Sequence, residues 1–186
     1  DKFLQGQGIF RNRNALRPTF VPDNLPYREE QMSRIASILG PALRGAPPSN
    51  ILCYGKTGTG KTVCARYVLN MLVAKAQDSG IKPPITAYVN CRIVGTNYRV
   101  LKRLCDQIDA TMPDGSEVPF TGLPTDEIRD LLKAKLDEES NILTIVLDEV
   151  DSLLKRDVSQ GNDILYGLTR MNGELESSRI SIIGIS

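Results

Sequence analysis

The 186 residues are 41% hydrophobic and 24% charged with a formal net charge of +1, an ordinary balance for one globular domain with a sizeable core. No apolar run reaches the roughly 20 residues that span a bilayer, and Asp1–Gln5 does not read as a signal peptide. The chain has no histidine, which excludes a Ser-His-Asp triad, a histidine metal site and a histidine general base, so catalysis falls to carboxylates, Lys, Arg and a metal ion.

Residues 1–27 lack helical or alternating periodicity and predict an extended arm, packed on the remainder, 28–186, through Phe10, Leu16, Phe20, Val21 and Pro22. Glu29–Leu43 reads as a helix that buries Met32, Ile35, Ala36 and Leu39, and Gly45–Ser49 breaks the chain. Ile51–Tyr54 suits a buried parallel strand. The next helix should begin near Gly60 and run to about Lys75, burying Val63, Tyr67, Val68, Met71 and Leu72. Ile85–Asn90 is a second strand, and Tyr98–Ile108 a helix with Val100, Leu101, Leu104 and Ile108 inward. Pro113–Pro124 predicts a loop. Thr125–Ile128 should cap a helix to about Glu138, with Ile128, Leu131, Leu132 and Leu136 inward. Leu143–Leu147 is a third strand, Asp163–Met171 a helix and Ile180–Ile185 a fourth strand. Alternation of this kind implies an α/β fold, a mainly parallel sheet with helices on both faces.

The charge is unevenly spread. Arg11, Arg13 and Arg17 make the arm basic, and Arg92, Arg99, Lys102 and Arg103 cluster without an acid between them. Residues 114–139 hold eight acids against Arg129, Lys133 and Lys135. Such asymmetry permits a nucleic-acid contact without requiring one. The four cysteines, Cys53, Cys64, Cys91 and Cys105, form no C-x-x-C pair and read as small buried hydrophobes in a reducing compartment.

Gly55-Lys56-Thr57-Gly58-Thr59-Gly60-Lys61-Thr62 is a G-x-x-x-x-G-K-T run between a strand and a helix, the P-loop pattern in its required context. Gly58 and Gly60 let the backbone fold around an anion, and the amides of Gly58–Val63 would point at phosphates. Lys61 would meet the β- and γ-phosphates, and the Thr62 hydroxyl would bind Mg²⁺. A glycine-rich turn before a helix is the plain alternative. The apolar run ending in Asp148-Glu149 supplies the second half of a nucleoside triphosphate site, because active groups in open α/β sheets lie at strand carboxyl ends. Asp148 would hold Mg²⁺ through water, and Glu149 would orient or deprotonate the attacking water. Otherwise the strand simply ends in solvated acids. Asp151 could orient its neighbours or belong to a surface turn.

Gly55–Thr62 together with Asp148-Glu149 resembles an AAA+ ATPase. Phe20-Val21-Pro22, Leu25–Glu29, Ser49–Leu52, Tyr88–Arg92 and Ile183–Ser186 look more specifically like the archaeal and eukaryotic origin-recognition and helicase-loading initiators. The resemblance implies a three-layer P-loop AAA+ core. It also implies a sensor residue, a last strand, a helical lid and a winged-helix DNA-binding domain beyond Ser186, so the chain reads as a truncated piece.

Further implications of the resemblance are a bound ATP or ADP with Mg²⁺ and an adenine bordered by Phe20, Val21, Pro22 and Arg28. Arm packing and a solvated arginine are the alternatives there. An initiator insertion would span roughly Tyr98–Leu123, where Tyr98, Arg99, Lys102 and Arg103 could touch phosphates, unless they form a solvated helix face. The implied function is a slowly hydrolysing, ATP-binding initiator that recognises origins and helps load the replicative helicase. Its partners would be duplex origin DNA, other initiator subunits and the helicase, with no membrane. Its place would be the archaeal cytoplasm at the nucleoid, or a eukaryotic nucleus. Another AAA+ ATPase, clamp-loader-like or protein-remodelling, and a non-catalytic nucleotide-binding module remain alternatives.

Overall fold

Four strands, β1 (Ile51–Cys53), β2 (Ile85–Asn90), β3 (Ile142–Asp148) and β4 (Arg179–Ile185), run parallel in the spatial order β1-β4-β3-β2. They belong to a computed structural model that describes residues 20–22, 25–154 and 164–186. The expected arm contacts of Phe10 and Leu16, and Arg11, Arg13 and Arg17, lie outside the described residues.

Helices α1 (Glu29–Leu39) and α2 (Lys61–Asp78) cover one face of the sheet, where Ile35, Leu39, Cys64, Val68 and Leu72 pack on Ile142, Val146, Ile183 and Ile185. On the other face lie α4 (Asn97–Gln107), α5 (Thr125–Glu139) and α7 (Ile164–Met171), with Leu101, Leu104, Leu132, Leu136 and Leu168 against Leu143, Ile145 and Leu147. Period-2 alternation therefore sends β3's even residues to one layer and its odd residues to the other. All seven β3 residues are buried, as expected for an apolar strand covered on both faces. The three-layer α/β core is the one the sequence predicts. Of two short helices, α3 (Cys91–Val94) follows β2 directly and α6 (Asp151–Leu154) follows β3 after Glu149 and Val150.

Several local expectations are corrected. The first helix ends at Leu39, and Gly40–Arg44 continues as a 3₁₀ turn. Pro41 is the cause: it has no N–H to donate, and its ring crowds the carbonyl four residues back. Ala36 points outward and Met32 is half-buried, so Ile35 and Leu39 anchor α1. In α2 Met71 is 56% exposed while Cys64, Ala65 and Leu69 are buried, because the inward stripe is 64, 65, 68, 69, 72 and 76. Val63 and Tyr67 are only half-buried.

Strand β1 is not fully buried. Ile51 and Cys53 face α1 and α2, but Leu52 is 64% exposed on the opposite face. Thr125 lies inside the first turn of α5 rather than capping it, the cap position falling to Pro124. Asp126 and Glu127 still favour that end through the helix dipole. Leu131 is half-buried. The helix expected from Asp163 is described from Ile164 onward.

The connection from α7 to β4 is fastened by Asp137 of α5. Its carboxylate accepts the N–H groups of Glu176, Ser177 and Ser178 at 3.1–3.2 Å. Burial raises the Asp137 pKa, but these three donors together outweigh burial and hold the carboxyl below its ordinary range.

Candidate functional site

The carboxyl ends of β1, β3 and β4 open onto a cleft of about 530 Å³. Its floor is the turn joining β1 to α2. Gly58 and Gly60 both sit at φ +80°, a left-handed conformation that an L side chain resists. A Cβ at Gly58 would meet nothing within 4 Å, so the dihedral rather than crowding demands glycine there. Gly60 is the residue before α2, and the first intrahelical bond runs from Cys64 N–H to the Gly60 carbonyl at 3.0 Å. The amides of Lys61, Thr62 and Val63 therefore precede the ladder and project from the positive end of an 18-residue helix. Lys61 Nζ donates to the carbonyls of Gly55 at 2.6 Å and Lys56 at 3.0 Å, which keeps its charge at the loop. Thr59 Oγ1 donates to the Lys56 carbonyl and tightens the same turn.

Asp148 closes β3 against this loop. Its Oδ2 accepts hydrogen bonds from Thr62 Oγ1 at 3.0 Å and Tyr88 Oη at 2.8 Å, and its Oδ1 accepts the Glu149 N–H at 3.0 Å. The side chains of α2, β2 and β3 thus converge on one carboxylate that is 7% exposed. Burial and the Asp148 carboxylate push the Tyr88 phenol up to about 12. The Arg66 guanidinium lies 4.8 Å above the Tyr88 ring. Burial, then the neighbouring charges of Asp148, Asp151 and Glu149, push the Cys91 thiol up to about 12, so it is no nucleophile.

Glu149 adopts φ +51°, uncommon for a residue with a side chain. That turn redirects the chain out of the sheet while Val150 N–H still bonds the Ile185 carbonyl at 2.9 Å. The Glu149 carboxylate faces the cleft, paired with Arg92 at 3.5 Å.

Of the predicted phosphate-loop residues Gly55–Val63, Thr57–Val63 line one cleft with the acids Asp148 and Glu149, while Gly55 and Lys56 are exposed and are not among its lining residues. Phe20 also lines it. Val21, Pro22 and Arg28 are half-buried and are not among its lining residues. Sequence reasoning missed Tyr88, Arg66, Ile185 and Ser186 as site neighbours. It also grouped Arg92 with Arg99, Lys102 and Arg103 and left Asp151 between a surface turn and an orienting role. Instead Arg92 leans over the cleft, and Asp151 begins α6 at the cleft wall.

The basic cluster is divided by the fold. Arg99 and Arg103 are exposed. Lys102 is 4% exposed, ion-paired with Asp106 and held 4.4 Å from the Phe120 ring, so it belongs to the packing between α4 and the following loop. Tyr98 is half-buried and donates its hydroxyl to the Pro119 carbonyl at 3.0 Å. The expectation that Lys102 and Tyr98 lie free for phosphates is corrected: both brace residues 113–124.

Among the described residues no group of three or more His, Cys, Asp or Glu could hold a metal by itself. The donor set nevertheless fits Mg²⁺, which takes one or two protein oxygens and completes its shell with water and phosphate. Thr62 and Asp148 supply two hard oxygen groups in contact. Of the described cysteines, Cys64, Cys91 and Cys105 are buried and Cys53 half-buried, and all are free thiols. No described helix is long and apolar enough to cross a membrane.

Comparison with known proteins places the fold in a family. The AAA domain family matches residues 46–184. The ORC1-type DNA replication protein of Thermococcus onnurineus is 46% identical over all 186 residues. Among solved structures, Aeropyrum pernix ORC1 in complex with DNA is 45% identical with a TM-score of 0.81, covering 95% of this chain. Aeropyrum pernix ORC2, solved with ADPNP and ADP, is 26% identical with a TM-score of 0.77, covering 96% of this chain. The chain spans 43% of the length of both the Thermococcus relative and the ORC1 structure, and 46% of the ORC2 structure.

Proposed function

This chain belongs to the AAA domain family, and from that premise we propose that it is the nucleotide-binding part of an ATP-switched initiator of DNA replication. The observation that carries the reading is the 46% identity to an ORC1-type replication protein over all 186 residues, a span far longer than the nucleotide motifs.

ATP would lie along the cleft, with its phosphates on the amides of the Gly58–Val63 turn and on Lys61. Phe20 lines that cleft and would offer an apolar face to the base, with Val21, Pro22 and Arg28 nearby in sequence. Thr62 and Asp148 would hold Mg²⁺, which when bound neutralises charge that develops on the phosphates during transfer. Glu149 would orient the attacking water and accept its proton. Its carboxylate is ion-paired with Arg92, and accepting a proton would leave that cation unpartnered, which supports slow hydrolysis. Nucleotide state would then govern assembly on origin DNA with other initiator subunits and the replicative helicase, in an archaeal nucleoid or a eukaryotic nucleus. Exposed Arg99 and Arg103 are the described candidates for phosphate contacts from this domain.

Chromatin immunoprecipitation of the full-length protein tests the reading. Enrichment at sites where replication begins is expected, and enrichment unrelated to those sites would overturn it.

A further inference from the structure

We infer that Tyr88 is a positioning residue for the Mg²⁺ site, holding the Asp148 carboxylate in the orientation that serves the metal. The inference rests on the reading of Asp148 as a Mg²⁺ residue.

The strand register creates the contact. Tyr88 pairs with Val146 and Asn90 with Asp148, so Tyr88 and Asp148 are diagonal neighbours on adjacent strands and on one face of the sheet. Diagonal neighbours lie about 7–8 Å apart at the backbone, a gap only a long side chain can close. Tyrosine spans it, and its hydroxyl reaches Oδ2 at 2.8 Å. An ionised carboxylate only accepts, so the phenol is the donor.

Neither partner is free to drift. The Tyr88 ring is half-buried against the α1–α2 core and is covered on its outer side by the Arg66 guanidinium. Its backbone is pinned as well, since Tyr88 N–H donates to Gln107 Oε1 at 2.9 Å and its carbonyl accepts Gln107 Nε2 at 3.1 Å. On the other side, Thr62 Oγ1 donates to the same Oδ2. One carboxylate oxygen thus takes a donor from the phosphate-loop helix and a donor from the sheet. Thr62 cannot fix Asp148 alone, because Thr62 itself is a candidate ligand and its hydroxyl must serve the metal too. Tyr88 makes no such demand, and it sets the carboxylate from the rigid side. Groups that orient a metal-binding residue from behind typically govern metal affinity by 10- to 100-fold.

The experiment is titration calorimetry of ADP on full-length Tyr88→Phe, first in EDTA and then across a range of Mg²⁺ concentrations, with Asp148→Asn alongside. The phenylalanine keeps the ring, its packing and the Arg66 contact, and removes the hydroxyl alone. The expected result is unchanged ADP affinity in EDTA and about a tenfold rise in the Mg²⁺ concentration for half-maximal enhancement. An unchanged Mg²⁺ midpoint overturns the inference, and so does an equal loss of affinity with and without Mg²⁺, which would mark Tyr88 as pocket packing. If Asp148→Asn also leaves the Mg²⁺ response intact, the reading of Asp148 fails first, and the two failures are told apart.

Discussion

Arg92 Nη1 lies 3.5 Å from Glu149 Oε2, with the two side chains 73% and 44% exposed. An exposed pair of this kind stabilises a fold by no more than about 1 kcal/mol. Its effect is therefore on the position of a carboxylate at the cleft wall. Arg92→Ala should leave the melting temperature of the full-length protein within about 2–4 °C of wild type. ATP turnover should rise about two- to fivefold as Glu149 is released. Steady-state hydrolysis and thermal melts on one preparation check this, and a fall in turnover with weaker ATP binding would place Arg92 on the phosphates instead.

Lys61 concentrates charge at the mouth of α2. Replacing it by alanine removes the side-chain cation bonded to the phosphate-loop carbonyls of Gly55 and Lys56. Lys61→Ala should weaken ATP binding at least tenfold, equivalent to roughly 1.4 kcal/mol. Calorimetric titration reads the change directly.

The two acids at the end of β3 should separate on mutation. Glu149→Gln keeps shape and hydrogen bonding while removing the proton acceptor, so ATP binding is retained and hydrolysis is lost. Asp148→Asn replaces one acceptor oxygen among the donors from Thr62, Tyr88 and the Glu149 amide. It should weaken the Mg²⁺-dependent part of nucleotide binding. Equal hydrolysis by wild type and Glu149→Gln would remove the catalytic assignment.

Lys102 and its neighbours should now behave differently from one another. Lys102→Ala leaves Asp106, 31% exposed, without its buried partner and should cost about 1–3 kcal/mol. The Arg99→Ala, Arg103→Ala double variant should melt like wild type. If these arginines touch DNA, it should also flatten the plot of log affinity against log salt by about two units. Fluorescence anisotropy across a salt series with duplex DNA gives that slope, and an unchanged slope would mark a solvated helix face.

Asp137 predicts a pH effect with a definite sign. Its folded pKa is below the ordinary value, so its contribution is complete above the unfolded pKa and disappears as pH falls through the folded one. Asp137→Asn should therefore lower the melting temperature at neutral pH, and the gap to wild type should narrow as pH falls below the ordinary aspartate range. Melting curves at neutral and acidic pH test it.

The sequence exposes features that are local along the chain. The phosphate loop and the acids ending β3 each fit within a dozen residues, and each strand or helix of the alternation is marked by its own periodicity, so spacing and residue type suffice. Tyr88 escaped because its role depends on the register of β2 against β3, which no local pattern states. The burial of Lys102 escaped for a similar reason: it needs Phe120, from a loop whose path is not periodic, to lie under the ammonium. Arg92 looked like one more surface cation until the short helix after Asn90 turned it toward Glu149. The end of α1 at Leu39 carried a local signal that the hydrophobic spacing overrode, since Pro41 cannot donate to a continuing helical ladder.

Glu149 holds φ +51° where glycine would sit at ease. Such a conformation in a residue with a side chain costs of order 1 kcal/mol or more. A selection for heat resistance alone would therefore favour Glu149→Gly, and would discard the group assigned to activate water. Thermostability and turnover are opposed at this one residue, so a screen that rewards only survival on heating should return inactive protein from this position first.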